Sequence, residues 1–296
     1  MIRLLLSGVF MLLQLSYAFS QGKFSIQRVE PLHWWVGMKS SDLQLIIYGK
    51  GIGKSTVKIK KQGLTLVKTN PVENSDYLFL DLSVDSDATA GFYPIEFYEN
   101  NKLVGSYKYE LKNRETSSVK AQGVHSDDLI YLIMPDRFAN GNTKNDQIKG
   151  LREIQVNRDS MYARHGGDID GVIQHLDYLA DLGVTSVWLT PVLTNDMPQA
   201  SYHGYANTEN YHIDPRLGTN ETYRKLGEEL HKRNMKLVHD VVPNHVGLYH
   251  WTVIDKPFKD WLHEWPSFTQ TTYKDQTIFD PYASVADRER MEKDGL

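Results

Sequence analysis

The 296-residue sequence contains no cysteine, which excludes disulfides, thiolate metal sites and lipid attachment through a thiol. It also lacks an apolar run of the roughly twenty residues that crossing a bilayer requires; the most apolar stretch, 4–15, is too short, so no integral membrane segment is expected. Blocks of basic residues are missing as well. With 33 Lys and Arg against 37 Asp and Glu the net charge is −4, which excludes nucleic acid as an expected partner. What remains is an ordinary globular composition, 41% apolar and 24% charged, too apolar for wholesale disorder. Seventeen Tyr, ten Phe and six Trp are enough to supply a stacking surface for a flat neutral ligand such as a sugar ring.

Residues 1–20 have the layout of an export signal: Arg3, the apolar stretch, then the small residues Ala18 and Ser20 ahead of Gln21. The protein is therefore expected in the periplasm or secreted. From 21 to 115, short runs rich in Val, Ile, Tyr and Phe (43–48, 56–60, 77–82, 92–98 and 106–111) alternate with turn residues, as in a small antiparallel, immunoglobulin-like β-sandwich. The clearest turns are 85–91 and Glu99-Asn100-Asn101-Lys102, the second a hairpin loop. A polar stretch, 116–128, reads as a linker.

The pattern then changes. A continuous apolar run at 129–134 is followed by helical spacing over 169–182 that Gly183 ends, a second strand at 184–189, a helix at 219–233 with Thr219 as N-cap, and a third strand at 237–242. Strands buried on both faces and joined by helices predict a parallel sheet. Residues 243–296, with Trp251, Trp261 and Trp265 among polar neighbours, read as a large excursion from it.

In parallel α/β folds function collects at the C-terminal ends of strands. Three such ends are loaded here: Pro135-Asp136-Arg137-Phe138, the loop containing Tyr202-His203-Gly204-Tyr205, and Asp240-Val241-Val242-Pro243-Asn244-His245. An Asp and a His at a strand end can equally be a hydrogen-bonded pair that fixes a loop. The combination, however, resembles the α-amylase superfamily, glycoside hydrolase family thirteen. Asp240-x-x-x-Asn244-His245 is similar to its first conserved region, Tyr202 to Tyr205 with Asn210-Tyr211 and Asp214-Pro215-Arg216 to its loop after the second strand, and Gly166-Gly167-Asp168 to the segment before the first barrel helix. The stretch Trp34-Trp35-Val36-Gly37-Met38 resembles the N-terminal domain of the cyclomaltodextrinase and neopullulanase branch.

The resemblance implies an incomplete (β/α)₈ barrel over 129–296, three βα units with 243–296 as a domain-B-like insertion. It implies a retaining hydrolase of cyclodextrin, pullulan or malto-oligosaccharides, with Tyr205 as the sugar platform and His203, Asp240 and His245 as polar contacts, Asp240 either touching sugar or orienting neighbours. Retaining glycosidases need two carboxyl groups about 5 Å apart, and the family takes these from later strand ends. The nucleophile and the acid/base are therefore expected beyond Leu296, with no catalytic carboxylate before it. These 296 residues should be inactive alone and poorly folded where the sheet lies open. Asp255, Asp260, Glu264 and Asp280 are expected to be solvated or rim residues.

The turn Asn140 to Asp146 offers several oxygen ligands, as Ca²⁺ requires, though an Asn/Gly-rich turn is usually only a turn. It resembles the calcium loop of the same branch, which implies a structural Ca²⁺ held by Asn140, Asn142, Asn145, Asp146, the Gly166 carbonyl and Asp168. The branch also implies a homodimer through the N-terminal domain. Two motifs fail: 49–55 imitates a phosphate loop but has Tyr48 where glycine is needed, and His263-Glu264-Trp265-Pro266-Ser267 lacks the second histidine of a zinc protease. The rival reading is a non-catalytic glucan-binding protein that stacks sugar on Trp34 or Trp35.

Overall fold

The computed structural model describes residues 24–114, 123–267 and 284–294. The signal segment 1–20, most of the linker, Asp280 and Leu296 lie outside them. The expectation that the catalytic carboxylates fall beyond Leu296 therefore concerns chain outside the described residues; within them, the strand ends present only the carboxylates discussed below. Eight strands come first: β1 (Arg28–Glu30), β2 (His33–Trp35), β3 (Asp42–Tyr48), β4 (Thr56–Ile59), β5 (Leu64–Pro71), β6 (Tyr77–Val84), β7 (Gly91–Glu99) and β8 (Lys102–Lys112). They form two four-stranded sheets, β1-β3-β6-β5 and β2-β8-β7-β4. Alternate residues from both, among them Leu45, Leu80, Ile95, Phe97 and Tyr109, meet in one core from which solvent is excluded. The 99–102 hairpin forms as expected: Asn100 and Asn101 take φ of 48° and 63°, the left-handed pair that matches strand twist and that asparagine tolerates.

Two details differ from a purely antiparallel sandwich of five runs. The pairing of β2 with β8 is parallel, because the chain leaves β1 at once and reaches the other sheet alongside its last strand. β5 is an additional strand whose Lys68, Asn70 and Pro71 look like breakers; it is an edge strand, where a missing N–H costs no ladder bond. The 49–55 segment is a single 3₁₀ turn at Ile52–Lys54 running straight into β4, so no helix N-terminus stands there for a phosphate.

Beyond residue 122, β9 (Ile130–Ile133), β10 (Ser186–Leu189) and β11 (Lys236–His239) form a parallel sheet in the order β11-β10-β9. Between them lie α1 (Pro135–Phe138), α2 (Ile169–Gln174), α3 (Leu176–Asp181) and α4 (Asn220–Lys232). The expected helix over 169–182 is thus interrupted at His175. Its ring Nδ1 bonds the Gly171 carbonyl at 2.8 Å and its own N–H turns to Val172, which diverts the helical ladder. Gly183 at φ 86° closes α3, with the Val184 N–H returning to the Leu179 carbonyl at 3.0 Å, a left-handed C-terminal cap. Thr219 caps α4 by accepting the Thr222 N–H at 3.1 Å.

The sheet is not buried on both faces. Ile133, Val187 and Leu189 pack against α2, α3 and α4, whereas Leu132 and Trp188, on the other face, remain 55% and 37% exposed. The third strand also ends at His239, three residues early, because Asp240 turns its side chain toward β10 and Pro243 offers no N–H. The end of the expected linker is anchored: Asp128 accepts from Thr185 at 2.8 Å and pairs with Lys236 at 2.7 Å.

Sandwich and sheet belong to one compact unit that extends to Pro257. A helix, α5 (Trp251–Ile254), lies near its end. The second unit begins at Phe258 and contains α6 (Val285–Asp294) and a stacked Phe258–Trp261 pair; His263 and Glu264 are exposed in it. Among the described residues no helix is long and apolar enough to cross a membrane.

Candidate functional site

Four residues singled out by sequence, His203, Tyr205, Asp240 and His245, come together beyond the C-terminal ends of β10 and β11. The 3₁₀ turn Ser201–His203 delivers the first two. It closes on Gly204 at φ 83°, where a Cβ would stand 1.9 Å from the Pro191 carbonyl; only glycine fits. The Tyr205 hydroxyl donates to the Asp240 carboxylate at 3.0 Å. Burial, reinforced by that carboxylate, pushes the Tyr205 pKa upward, so the phenol stays protonated. Its ring is 39% exposed and lies 5.9 Å from the His203 ring.

Burial lowers the His203 pKa, which favours the neutral ring. Its Nδ1 accepts the Tyr205 N–H at 2.9 Å, so the proton sits on Nε2, which is available as a donor. His245 is fully engaged. Nε2 bonds the Tyr205 carbonyl at 2.9 Å and Nδ1 bonds the Asn244 amide at 3.1 Å. In this arrangement it ties the two loops together.

Sequence reasoning missed Trp188, whose indole N–H donates to Asp240 at 3.1 Å. Reading 184–189 as wholly buried hid it. Period-two alternation would have placed it opposite Val187 and Leu189, facing out.

The other loaded strand ends have structural work. Asp136, buried, accepts the backbone N–H groups of His165 and Gly166 and pairs with Arg137. Asp214 and Arg216 form a buried pair at 2.7 Å, and Arg216 also donates to the Glu153 and Asn195 carbonyls. Burial opposes the charge on Asp214, yet the Arg216 contacts prevail and hold its pKa low. Asp255 is not a rim residue. The sandwich reaches it: Tyr48 donates to its carboxylate at 2.8 Å and Asn74 at 2.6 Å. Asp260 and Glu264 are exposed as expected.

Among the described residues no three His, Cys, Asp or Glu side chains cluster as a metal site, so a hard cation would have to add amide and carbonyl oxygens to a single carboxylate. The Asn140 to Asp146 turn supplies them. Asn145 is buried with its Oδ1 unpartnered, a vacant acceptor of the kind a cation satisfies. A Cβ at Gly166 would lie 3.0 Å from the Asp146 carboxylate and 3.1 Å from the Asn140 Nδ2, which donates to that carboxylate at 2.7 Å, so the three stand side by side with Asn140 and Asp146 bonded to each other. Asp168 supports the frame, accepting N–H groups from Gly141, Asn142 and Gly171 and the Asn145 amide. The Asn142 Oδ1 accepts the Lys144 N–H at 3.2 Å. The Asn145 Oδ1 and the Asp146 carboxylate are oxygens of the kind a hard cation takes.

A cleft of about 770 Å³ lies elsewhere, lined by Arg28, Glu209, Tyr249 and Trp251 where sandwich and sheet loops meet. It contains none of the four clustered residues. We place the candidate site at the strand ends, because convergent polar groups and an exposed ring carry more chemical information than volume.

An all-β module followed by parallel βα units, with polar and aromatic residues gathered at the strand ends, is the domain order that the sequence resemblance implies. Comparison agrees: the α-amylase catalytic domain matches residues 132–281, half of the chain, and the cyclomaltodextrinase N-terminal domain matches 28–115. The chain belongs to the α-amylase family. The maltogenic α-amylase of Bacillus acidopullulyticus is 34% identical over 184 residues, 58% of this chain and 29% of its own length. Neopullulanase 2 of Thermoactinomyces vulgaris is 36% identical over 144 residues, 45% of this chain and 23% of its own. A cyclomaltodextrinase of Geobacillus thermopakistaniensis is 36% identical over 153 residues, 49% and 25% respectively. The chain spans less than a third of the length of the curated relatives it matches.

Proposed function

We propose that these residues form the first three βα units of an incomplete barrel, and with them one side of an α-glucan site in a retaining hydrolase of cyclodextrin, pullulan or malto-oligosaccharides. The reading rests on the Tyr205–Asp240 contact with His203 and His245 beside it. The Tyr205 ring is the apolar platform for a sugar face, the His203 Nε2–H donates to a hydroxyl, and Asp240 accepts from one while orienting Tyr205. Retaining cleavage needs two carboxyl groups about 5 Å apart, and this reading gives neither of those roles to Asp240. The test is maltoheptaose binding by calorimetry. Tyr205→Ala should weaken it at least tenfold, and an unchanged affinity would sink the assignment.

Calcium belongs to the same proposal as a structural ion held by Asn140, Asn145, Asp146 and the Gly166 carbonyl, with Asn142 and Asp168 shaping the loop. A chelator should lower the melting temperature reversibly, by about 2–3 kcal/mol of stability if the ion is present at a hundredfold its Kd, and Asn145→Ala should abolish that response. Export also remains a proposal, tested by sequencing the mature N-terminus, which is expected at Gln21. In the alternative, a non-catalytic protein that stacks glucan on Trp34 or Trp35, Trp35 is the ring to test by retention on an amylose column, since Trp34 packs against the sandwich core.

A further inference from the structure

The sandwich touches the two loops that carry the candidate site. Arg28, on β1, donates to Glu209 at 2.6 Å, and Glu209 in turn accepts the Tyr211 N–H at 3.0 Å, four to six residues beyond Tyr205. Tyr48, at the end of β3, and Asn74, in the β5–β6 turn, both donate to the Asp255 carboxylate, and Tyr77 donates to the Asp255 carbonyl. Asn74 also donates to the Lys256 carbonyl at 3.0 Å, and its N–H to the Pro257 carbonyl at 3.1 Å. Trp251 fills the space between, stacked on Tyr77 at 5.7 Å with the Arg28 guanidinium 5.2 Å from its ring. Between these anchors and the strand ends the two loops are cross-tied by Gly247 N–H to the Asn207 carbonyl at 2.7 Å and by His245 to the Tyr205 carbonyl.

We infer that the sandwich is a clamp that sets the position of the site loops, with Glu209 and Asp255 as positioning residues for Tyr205 and His245. The loop from Asp240 to Asp255 is held by β11 at one end and by the sandwich at the other. Hydrogen bonds to a charged acceptor are the strong ones, so releasing Asp255 frees the distal end of the loop while leaving each module's core untouched. The clamp rests on the glucan-site reading for its function, though not for its existence.

The decisive variants are Asn74→Asp, which sets two carboxylates against each other, and Asn74→Asp with Asp255→Asn, which restores a donor and an acceptor in exchanged places. On the full chain, Asn74→Asp should speed amide hydrogen exchange across 240–247 and weaken maltoheptaose binding, each by roughly tenfold, the scale of a lost hydrogen bond to a charged group. The double variant should bring both back toward the parent. Unchanged exchange across 240–247 in Asn74→Asp would overturn the clamp even if the melting temperature falls, since a purely structural contact would do only that. Full maltoheptaose affinity in Tyr205→Ala, or none in the parent, would overturn the glucan reading instead and leave the exchange measurement to decide the clamp.

Discussion

The sandwich and the parallel sheet solve the burial problem in opposite ways. In the sandwich two sheets cover each other, so Leu45, Ile47, Leu80, Ile95 and Phe97 are sealed in a shared interior. The parallel sheet covers one face with helices and leaves Leu132 and Trp188 on the other. Each module has its own buried core, but only the second presents an open sheet face, where Trp188 turns its indole toward Asp240. A side chain locked in a core cannot meet a ligand, and a strand end beyond a half-covered sheet can.

Core truncation should break the symmetry most visibly. Phe97→Ala is expected to cost about 3–5 kcal/mol in urea unfolding, while Leu132→Ala on the open face should cost under about 1 kcal/mol. Similar costs would mean that the open face is covered in solution. In the parallel-sheet module the comparable vulnerability is polar. Asp214→Asn strands the Arg216 guanidinium in a site where both partners are almost completely buried, and about 3 kcal/mol should be lost.

Acid sharpens the same contrast. Burial lowers the pKa of His203, His239 and His250, whereas the sandwich contains one histidine, His33, lowered by burial and by Lys112. A depressed histidine is neutral in the fold while the unfolded chain takes up a proton near its ordinary value of about 6.5. Its contribution is therefore complete above that value and is lost as pH falls through it toward the folded pKa. Between pH 7.5 and 5.5, amide protection factors, with the intrinsic pH dependence of exchange divided out, should fall around β10 and β11 and stay nearly constant in β6 and β7. An equal fall in both modules would show that the histidines do not separate them.

Much of this was legible in the sequence, for identifiable reasons. Period-two and helical spacing located most of the strands and α4, and residue chemistry at strand ends located Tyr205, Asp240, His203 and His245. Trp188 and the role of Asp255 were hidden because each depends on a partner far along the chain, Asp240 and the pair Tyr48 and Asn74. The exposed face of β9 and β10 was hidden because a continuous apolar run looks the same whether one face or two are covered. The break at His175 depends on one side-chain bond to a carbonyl that spacing does not encode.

The smallest test concerns local signals that were legible. The Thr219 hydroxyl accepts the Thr222 N–H at 3.1 Å, one of the orphan donors at the start of α4, so Thr219→Ala should cost about 1 kcal/mol. In the sandwich, Asn101→Gly at φ 63° replaces a residue that tolerates the left-handed region with the one that favours it, and stability should hold or rise slightly. If Thr219→Ala also left stability unchanged, α4 would be held by Leu226 and Leu230 in the core rather than by its cap. The parallel-sheet module would then resemble the sandwich, with packing outweighing local hydrogen bonds.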